Sequence, residues 1–573
     1  MKNKELVKIL YNIAIYLRME DIPIPFKFQA YERVAFEIEN LGEEIQNIYK
    51  KEGLDGIKKI SGVGESIAKK IEEYLKTGKI KYYQSLKRKM PVNLEELISV
   101  EGIGPKMVKT LYGLLKIKNL EELEKAAKSG KINKLPNFGE KTEQNILQGI
   151  EFLKRDKGRF LLGEILPDVK KIIEELKIIK EIRQINYAGS IRRMKETIGD
   201  VDILITALNP KKVIDFFISL PGIEKVWARG VTKASVRMES GYDVDVRIIS
   251  KEDYGSALQY FTGSKEHNIE IRKIAIKKGL KLSEYGIFKG KKEISSYTEK
   301  ELYNLLDMDF IEPELRENSG EIEAALNRKL PKIVRYNELL GDLHIHSNWN
   351  GGHNSIEEIV KEAKKYDYEY VGISDHTKFL RIENGLDENK LLLQKEYIKN
   401  LNKKSKGFKV LQGCEANILE DGSIDISDNV LKELDYVIAG VHSQMKMTKE
   451  EMTNRIICAM ENKNVDIISH PTGRILKKRD EYEIDFNKIL EVAKRTGTIL
   501  EINSSPDRLD LNGKNIRKAI KAGVKLIINT DTHEKLQLKN IEFGISQARR
   551  GWAEKKDIIN CWSVEKLLNY LKK

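Results

Sequence analysis

Apolar residues recur at helical spacing through residues 1–150, broken at intervals by Gly-x-Gly turns. The first segment, MKNKELVKILYNIAIYLRMEDI, predicts an amphipathic helix, with charges too frequent for a signal-peptide core. Residues 183–250 change period to short β-branched runs, INYAGS, DVDILIT and VDVRII, which predict a mixed sheet. Residues 251–320 return to mixed helix and loop, and 321–338 form a charged stretch that predicts a helical linker. From Gly341 onward short apolar runs alternate with amphipathic helices: YVGISDH, KVLQGCE, YVIAGVH, VDIISHP, TILEINS and VKLIINTDTH. Five of these six carry an acidic residue or a histidine at or beside their C-terminal end. Strand–helix alternation with chemistry at strand ends is the layout of an α/β barrel.

Composition narrows the picture. The 573 residues suggest about three to five domains. With 40% hydrophobic and 33% charged residues and 12 prolines, the chain predicts a soluble globular protein rather than a disordered one. No run of about 18 apolar residues exists to span a membrane. Cys414, Cys458 and Cys561 are too few and too far apart for a disulfide framework or a cysteine zinc site, and they fit a reducing cytoplasm. The net charge of +13 favours a polyanionic partner, although a lysine-rich coding bias or a thermophile's surface has the same effect. Histidine is more telling. Seven of the eight lie beyond residue 340, which marks the last 230 or so residues as a domain with its own chemistry.

Three segments share a turn: ISGVGESIAKKI (60–71), VEGIGPKMVKTL (100–111) and LPNFGEKTEQNIL (135–147). Paired glycines, Gly62 with Gly64 and Gly102 with Gly104, let the backbone turn tightly and approach a ligand, and the helix N–H groups that follow can hold a phosphate oxygen. In the third copy Asn137 replaces the first glycine, and Asn tolerates the left-handed region. The segments resemble helix-hairpin-helix motifs, which grip the DNA backbone without reading bases.

YAGSIRRMKETIGDVDILI (187–205) sets Asp200 and Asp202 on one face of a strand. Two such carboxylates repel each other unless a cation lies between them, and their oxygens suit Mg²⁺. YDVDVRII (242–249) offers a third carboxylate, Asp243 or Asp245; periodicity alone leaves both open. Three carboxylates can hold two metals that activate a hydroxyl and stabilise a leaving pyrophosphate. Gly189 and Ser190 open a turn suited to triphosphate oxygens.

This segment resembles the palm of the family-X DNA polymerases, the group that contains polymerase beta. In that family the third Asp precedes an apolar residue and Arg, and this pattern selects Asp245 before Val246 and Arg247. YFTGSKEHNIEIR (260–272) resembles the family's nucleotide-binding segment. The resemblance implies Tyr260 and Phe261 beside the incoming sugar, where ribonucleotides are disfavoured, and Gly263 near base and sugar. It further implies Asn268 at the minor-groove edge, Arg272 on the template strand, and Arg193, Lys265 and Gly199 about the triphosphate. PFKFQAYERVA (25–35) places Lys27 and Tyr31 where the family grips a 5′-phosphate, and Lys70 aligns with the lyase lysine that forms a Schiff base with deoxyribose phosphate. Ser66 stands where polymerase beta has a supporting lysine.

GDLHIHSNW places His344 and His346 on one strand face. His376, Glu415, His442, His470, Asp531 and His533 follow, with Asp375 beside His376. Mixed imidazole and carboxylate ligands suit Zn²⁺, Mn²⁺ or Fe, and clustered metals supply hydroxide and neutralise the charge developing on a phosphate ester. The region resembles the PHP (polymerase and histidinol phosphatase) domain, a distorted barrel that binds two or three metals. RIENGLDE and EINSSPDRLDLN extend the match. The family pattern HxHSxxSDG is altered to HIHSNWNGG, so that Gly351 stands in the place of a ligand Asp, with His353 or Asn350 as candidate substitutes.

The expected layout is a small helical domain over 1–92, a second helix-hairpin-helix domain over 93–152, and a nucleotidyltransferase palm of α+β class over 153–254. A thumb-like subdomain over 255–320, a linker over 321–337 and a PHP barrel of (β/α)7 type over 338–573 complete it. The resemblance implies a monomeric, cytoplasmic DNA polymerase that fills short gaps in nicked or gapped double-stranded DNA during repair, base excision repair included. It would use dNTPs with Mg²⁺ or Mn²⁺, and a metal-dependent 3′–5′ exonuclease or phosphoesterase would follow it. The competing readings are a PHP phosphatase with inactive DNA-tethering domains, against which the intact Asp200, Asp202 and Asp245 argue, and a non-enzymatic DNA-end scaffold, against which the six metal-type histidines argue.

Overall fold

The computed structural model describes residues 2–571 with the exception of 20–24, 40, 42, 43, 61, 101, 102, 137, 156, 157, 284, 285, 381–383 and 406. Gly102 and Asn137, two of the expected turn residues, and the start of RIENGLDE therefore lie outside the described residues. The chain divides into two compact units, residues 1–157 with 477–479, and residues 158–476 with 480–573. No helix among the described residues is long and apolar enough to cross a membrane.

The first unit is helical: α1 (Lys2–Arg18), α2 (Pro25–Glu39), α3 (Ile45–Lys58), α4 (Glu65–Thr77), α5 (Lys81–Lys89), α6 (Leu94–Ile98), α7 (Pro105–Leu115), α8 (Leu120–Lys128) and α9 (Glu140–Arg155). Leu6, Leu10, Ile13 and Leu17 form the buried stripe of α1, at the spacing that puts side chains on one helix face. The turn before α4 works as its composition predicts. Gly62 has φ +76, a conformation costly for a residue with a Cβ, and Gly64 caps α4 in extended conformation. Gly104 caps α7 in the same way, with Pro105 opening the helix. Val63, Ile103 and Phe138 occupy the same place in the three turns, and all are buried in one core.

The second unit begins with β1 (Phe160–Leu161), α10 (Leu162–Leu176), β2 (Ile182–Tyr187), α11 (Gly189–Arg192), β3 (Thr197–Ile198), β4 (Asp200–Ala207), α12 (Pro210–Phe217), β5 (Ile223–Arg229), β6 (Lys233–Met238) and β7 (Asp243–Ile248). The five long strands form a mixed sheet in the order β2-β4-β7-β6-β5, with β4 parallel to β7. Helix α10 buries Ile165, Leu166, Val169, Ile172 and Leu176. Leu509 and Phe543, from the far end of the chain, join the same core.

Next come α13 (Tyr254–Thr262), α14 (Lys265–Lys277), β8 (Lys281–Ser283), β9 (Gly286–Lys289), β10 (Lys292–Ile294), α15 (Glu299–Leu305) and α16 (Glu321–Leu326). Strands β8–β10 form a small antiparallel sheet where the sequence predicts only helix and loop. At three or four residues each, rich in lysine, they are too short to show an alternating period. Residues 321–337, expected as a charged linker, start with α16, whose Glu321 is fully buried against His267.

The remainder carries β11 (Gly341–Ile345), α17 (Ile356–Ala363), β12 (Tyr370–Ile373), α18 (Glu388–Lys404), β13 (Lys409–Gln412), β14 (Glu415–Asn417), α19 (Asp428–Leu431), β15 (Ile438–Gly440), α20 (Lys449–Glu461), β16 (Ile467–Ile468), α21 (Phe486–Thr496), β17 (Ile499–Asn503), α22 (Gly513–Ala522), β18 (Leu526–Asn529), α23 (Ile541–Arg550) and α24 (Val564–Leu571). The strands run parallel as β11-β12-β13 and β14-β15-β16-β17-β18. A bridge between Ile345 and Thr532 joins the two ends, and one between His376 and Glu415 continues the break. With β13 and β14 counted as one interrupted strand, the eight labelled strands make a distorted seven-stranded α/β barrel among the described residues.

Candidate active sites

The first site grows from the register of β4 and β7. Asp200 lies opposite Asp243, and Asp202 lies opposite Asp245. Parallel neighbours in register share a face, so all four carboxylates gather on one side of the sheet. Val201, Ile203, Val244 and Val246 point into the core on the other side. Asp243 is already occupied, since Trp227 Nε1 donates to it at 3.0 Å and Arg237 pairs with it at 2.8 Å. Asp245 meets Arg247 and Lys233, each at 3.3 Å. Burial, then the charge of Asp200, pushes the Asp202 carboxyl up to about 6, with Asp245 adding to the push and Arg247 opposing it. A cation between these carboxylates would remove the repulsion, so the residues present fit a divalent metal.

Gly189 starts α11 with φ +71, and a Cβ there would come within 3.7 Å of Asp202 Oδ2. Beside this turn a cavity of about 630 Å³ is lined by Arg159, Ser190, Arg193, Lys195, Glu196, Thr197, Gly199 and Asp200. Arg159 escaped the sequence reading because no period or motif marks it. It is held by donating to Thr197 Oγ1 at 2.8 Å and to the Thr197 carbonyl at 2.5 Å. Arg193 donates from Nε to Glu317 at 3.0 Å and from Nη1 to the Thr262 carbonyl. A Cβ on Gly263, whose φ is +66, would lie 3.1 Å from Arg193 Nη1 and press that guanidinium aside.

The segment 260–272 reaches the same turn, where the Thr262 carbonyl accepts from Arg193. The Tyr260 and Phe261 rings meet edge-on at 5.3 Å, and Arg247 lies 4.8 Å over the Phe261 ring. Asn268 Nδ2 donates to the Tyr260 carbonyl at 2.7 Å, and its Oδ1 accepts from Gln259 at 2.8 Å. Arg272 Nε donates to the Asn268 carbonyl at 3.2 Å, and Lys265 is exposed in the first turn of α14. His267, the one histidine outside the barrel, is buried between Glu321 and the Tyr303 hydroxyl, at 2.8 and 2.9 Å, as a structural link.

In the helical unit Lys70 Nζ donates to Ser66 Oγ at 2.8 Å and lies 5.3 Å from the Tyr82 ring and 6.0 Å from the Tyr31 ring. Lys27 approaches the same Tyr82 ring at 5.7 Å. Burial, then the like charge of Lys27, lowers the Lys70 pKa below its ordinary value. The second hairpin turn, at Gly104, borders a cavity of about 380 Å³ with Arg18 and Lys106.

The barrel gathers the histidines at the C-terminal ends of its strands. His344 and His346 on β11 direct their Nε2 atoms toward Glu415 Oε2, at 3.3 and 3.6 Å, and toward Asp531 Oδ1, at 3.5 and 3.3 Å. His376 Nδ1 lies 2.8 Å from Glu415 Oε2, and His442 and His470 Nε2 lie 3.1 and 3.0 Å from Glu415 Oε1. The rings of His346 and His533 stack at 4.0 Å. Three groups have ligand atoms close enough for an ion: His344-His346-Glu415-Asp531, His376-Glu415-His442 and His346-His376-His533. His470 joins the assembly through Glu415. Gly440 makes this convergence possible, because a Cβ there would sit 2.9 and 3.0 Å from the His442 and His470 rings.

Several buried atoms are orphaned: His344 Nε2, both nitrogens of His346, His376 Nδ1, His470 Nδ1 and Glu415 Oε2 form no hydrogen bond. Native interiors rarely leave such atoms unpaired, and clustered imidazole and carboxylate donors fit several transition metal ions. The tautomers also fit. His344 Nδ1 donates to Glu501 at 2.7 Å and His442 Nδ1 donates to Asn417 at 2.8 Å, which turns each Nε2 inward. Burial opposes charge on His344, but Glu501, Glu415 and Asp531 overcome it and raise its pKa; burial with His533 and His376 lowers that of His346.

Glu501 and Arg508 were missed in the sequence. Glu501 reads as one acid in an apolar strand, and Arg508, 3.7 Å from Asp531, sits in a loop. The two candidate substitutes at the altered position stand outside the ligand groups. Asn350 Oδ1 accepts the His376 backbone N–H at 3.3 Å, and the exposed His353 donates its backbone N–H to the His533 carbonyl.

Four family descriptions match the chain: a helix-hairpin-helix domain over residues 1–80, a SAM-like helix-hairpin-helix tandem over 94–151, the DNA polymerase beta thumb over 257–317, and the PHP domain over 342–505. The DNA polymerase/3′-5′ exonuclease PolX of Bacillus subtilis (strain 168) is 36% identical over 577 residues, covering 100% of both chains. A probable phosphatase of Thermoanaerobacter sp. (strain X514) is 29% identical over 41% of this chain and 95% of its own length. A probable phosphatase of Clostridium acetobutylicum is 30% identical over 40% of this chain and 93% of its own.

Proposed function

The chain belongs to the family-X DNA polymerases that carry a C-terminal PHP domain, and from that membership we propose that it fills short gaps during DNA repair and degrades 3′ ends with its barrel. The observation that carries the polymerase reading is the register of β4 and β7, which sets Asp200, Asp202 and Asp245 together beside the Gly189–Ser190 turn and its cavity. These three carboxylates would hold Mg²⁺ or Mn²⁺. Ions held there would supply the charge that favours a primer 3′-hydroxyl as nucleophile and a pyrophosphate as leaving group.

The other side chains divide the substrate among them. Gly189, Ser190, Arg193, Gly199 and Lys265 receive the triphosphate of a dNTP, with Arg159 added. Tyr260, Phe261, Gly263 and Asn268 shape the sugar and base pocket, and Arg272 meets the template. The hairpin turns at Gly62–Gly64 and Gly102–Gly104 hold the backbone of gapped or nicked DNA. Lys27 and Tyr31 hold its 5′-phosphate, with Lys70 as the amine facing an abasic sugar.

The barrel residues His344, His346, His376, Glu415, His442, His470, Asp531 and His533 would hold two or three ions of zinc, manganese or iron. Such ions supply an activated water and neutralise charge on the phosphodiester. Glu501 and Asn417 fix the ring orientations. The relatives named probable phosphatases match about two fifths of this chain over nearly their whole length, which supports phosphoester hydrolysis. The protein is assigned to the cytoplasm, as a monomer.

The test is primer extension on DNA with a one-nucleotide gap. Asp200→Ala should abolish nucleotide addition and leave hydrolysis intact. Extension at the normal rate in that variant would refute the carboxylate assignment.

A further inference from the structure

The last helix turn of α23 in the barrel reaches the nucleotide site of the polymerase half. Arg550 Nη1 donates to the carbonyl of Arg193 at 2.7 Å and to Glu317 Oε1 at 3.2 Å. One turn earlier Gln547 donates to the Met194 carbonyl at 3.2 Å, and Met194 has φ +52. Arg474 pairs with Glu196 at 2.7 Å. Three barrel side chains thus hold residues 193–196, the segment that follows the Gly189–Ser190 turn and lines its cavity.

Glu317 is the centre of this contact. It faces Arg193 at 3.0 Å, Arg550 at 3.2 Å and Lys195 at 3.5 Å, so three cations share one carboxylate. Arg193 and Arg550 are nearly buried, with side chains 12% and 13% exposed, so their charges act through little water. Counting side-chain charges, the cluster is left with two positive charges that no member cancels. Without Arg550 it would keep one, and Glu317 would be shared only by Arg193 and Lys195.

We propose that Arg550 of the PHP domain is a positioning residue for the incoming nucleotide: it shares Glu317 Oε1 with Arg193, so that Glu317 does not neutralise Arg193 alone, and keeps the triphosphate cavity cationic. The barrel then braces, from behind, the segment that lines the polymerase cavity. This inference rests on the assignment of Arg193 to the triphosphate. The electrostatics point the same way: burial works to raise the Glu317 pKa, but Arg550 and then Arg193 and Lys195 bring it below its ordinary value, while Arg550 repels Arg193.

The test uses the full chain in single-nucleotide gap filling, with KM for the dNTP and kcat measured separately. Hydrolysis of bis(p-nitrophenyl) phosphate reports an intact barrel. Arg550→Met should raise KM about tenfold with kcat and phosphodiester hydrolysis within about twofold. Arg550→Lys, which keeps the charge, should stay within about threefold of the parent KM. Glu317→Gln added to Arg550→Met should restore KM, because it restores the second uncancelled charge. An unchanged KM in Arg550→Met, a loss confined to kcat, or no rescue by Glu317→Gln overturns the proposal. Arg193→Gln separates it from its premise. If that variant leaves KM unchanged, the Arg193 assignment falls; if it raises KM while Arg550→Met does not, the role of Arg550 falls alone.

Discussion

Asp202 and Asp245 lie opposite each other on adjacent parallel strands, while Asp243, two positions back on the same face, is taken by Arg237 and Trp227. Asp245 also meets cations, Arg247 and Lys233 at 3.3 Å, but the register sets it against Asp202, and we propose it as the acid of YDVDVRII that serves a metal. Asp245→Asn should cut nucleotide addition by at least about a hundredfold, the scale expected when a group that stabilises transition-state charge is lost. Asp243→Asn should cost less than about tenfold. Steady-state gap filling by the two variants distinguishes them.

That pair also marks what the sequence could and could not reveal. The Asp200–Asp202 face follows from the two-residue strand period, and the barrel histidines follow from their place at strand ends. The register that sets Asp245 rather than Asp243 opposite Asp202 joins strands about 40 residues apart, which no local pattern encodes; the family resemblance points to the same acid. Glu501 and Arg159 act through partners 157 and 38 residues away, so their neighbours in sequence carry no sign of the role. The strands of the small thumb sheet were hidden by their brevity.

The His344–Glu501 contact should tune metal affinity. A carboxylate behind a ligating imidazole fixes its orientation and raises its basicity, and losing it typically costs about 10–100-fold in affinity. Glu501→Gln should therefore lose metal to a chelator at correspondingly lower concentration than the parent, measured as metal retained per chain. Equal retention would mean that His344 is oriented by other contacts.

Glu299 links stability to pH. It is buried between Arg192 and Arg316, at 2.6 and 2.5 Å. Burial works to raise its pKa, but Arg316 and then Arg192 hold it at about 2. A depressed folded pKa means stability that is fully present above the ordinary carboxylate value of about 4.5 and is lost as pH falls from there through about 2. Glu299→Gln should destabilise the unit by about 3 kcal/mol at neutral pH, because it leaves Arg316 buried without its partner. Denaturant unfolding at pH 7 and pH 3 should show a smaller pH dependence in the variant.

Lys70 should trap an abasic sugar. Its lowered pKa leaves more neutral amine near neutrality than an ordinary lysine has, so borohydride trapping on 5′-deoxyribose phosphate should reach its plateau at a lower pH. Lys70→Ala should lose the covalent product. Trapping at full yield in that variant would assign the amine elsewhere.

The central claim is that one chain holds two separate phosphoryl-transfer sites, and one experiment on gapped DNA tests it most directly. Asp202→Asn and Glu415→Gln are compared with the parent for primer extension with dNTPs and for 3′–5′ degradation without them. Asp202→Asn should lose extension and keep degradation, and Glu415→Gln should lose degradation and keep extension. Loss of both activities in either variant, with the chain still folded, would contradict it.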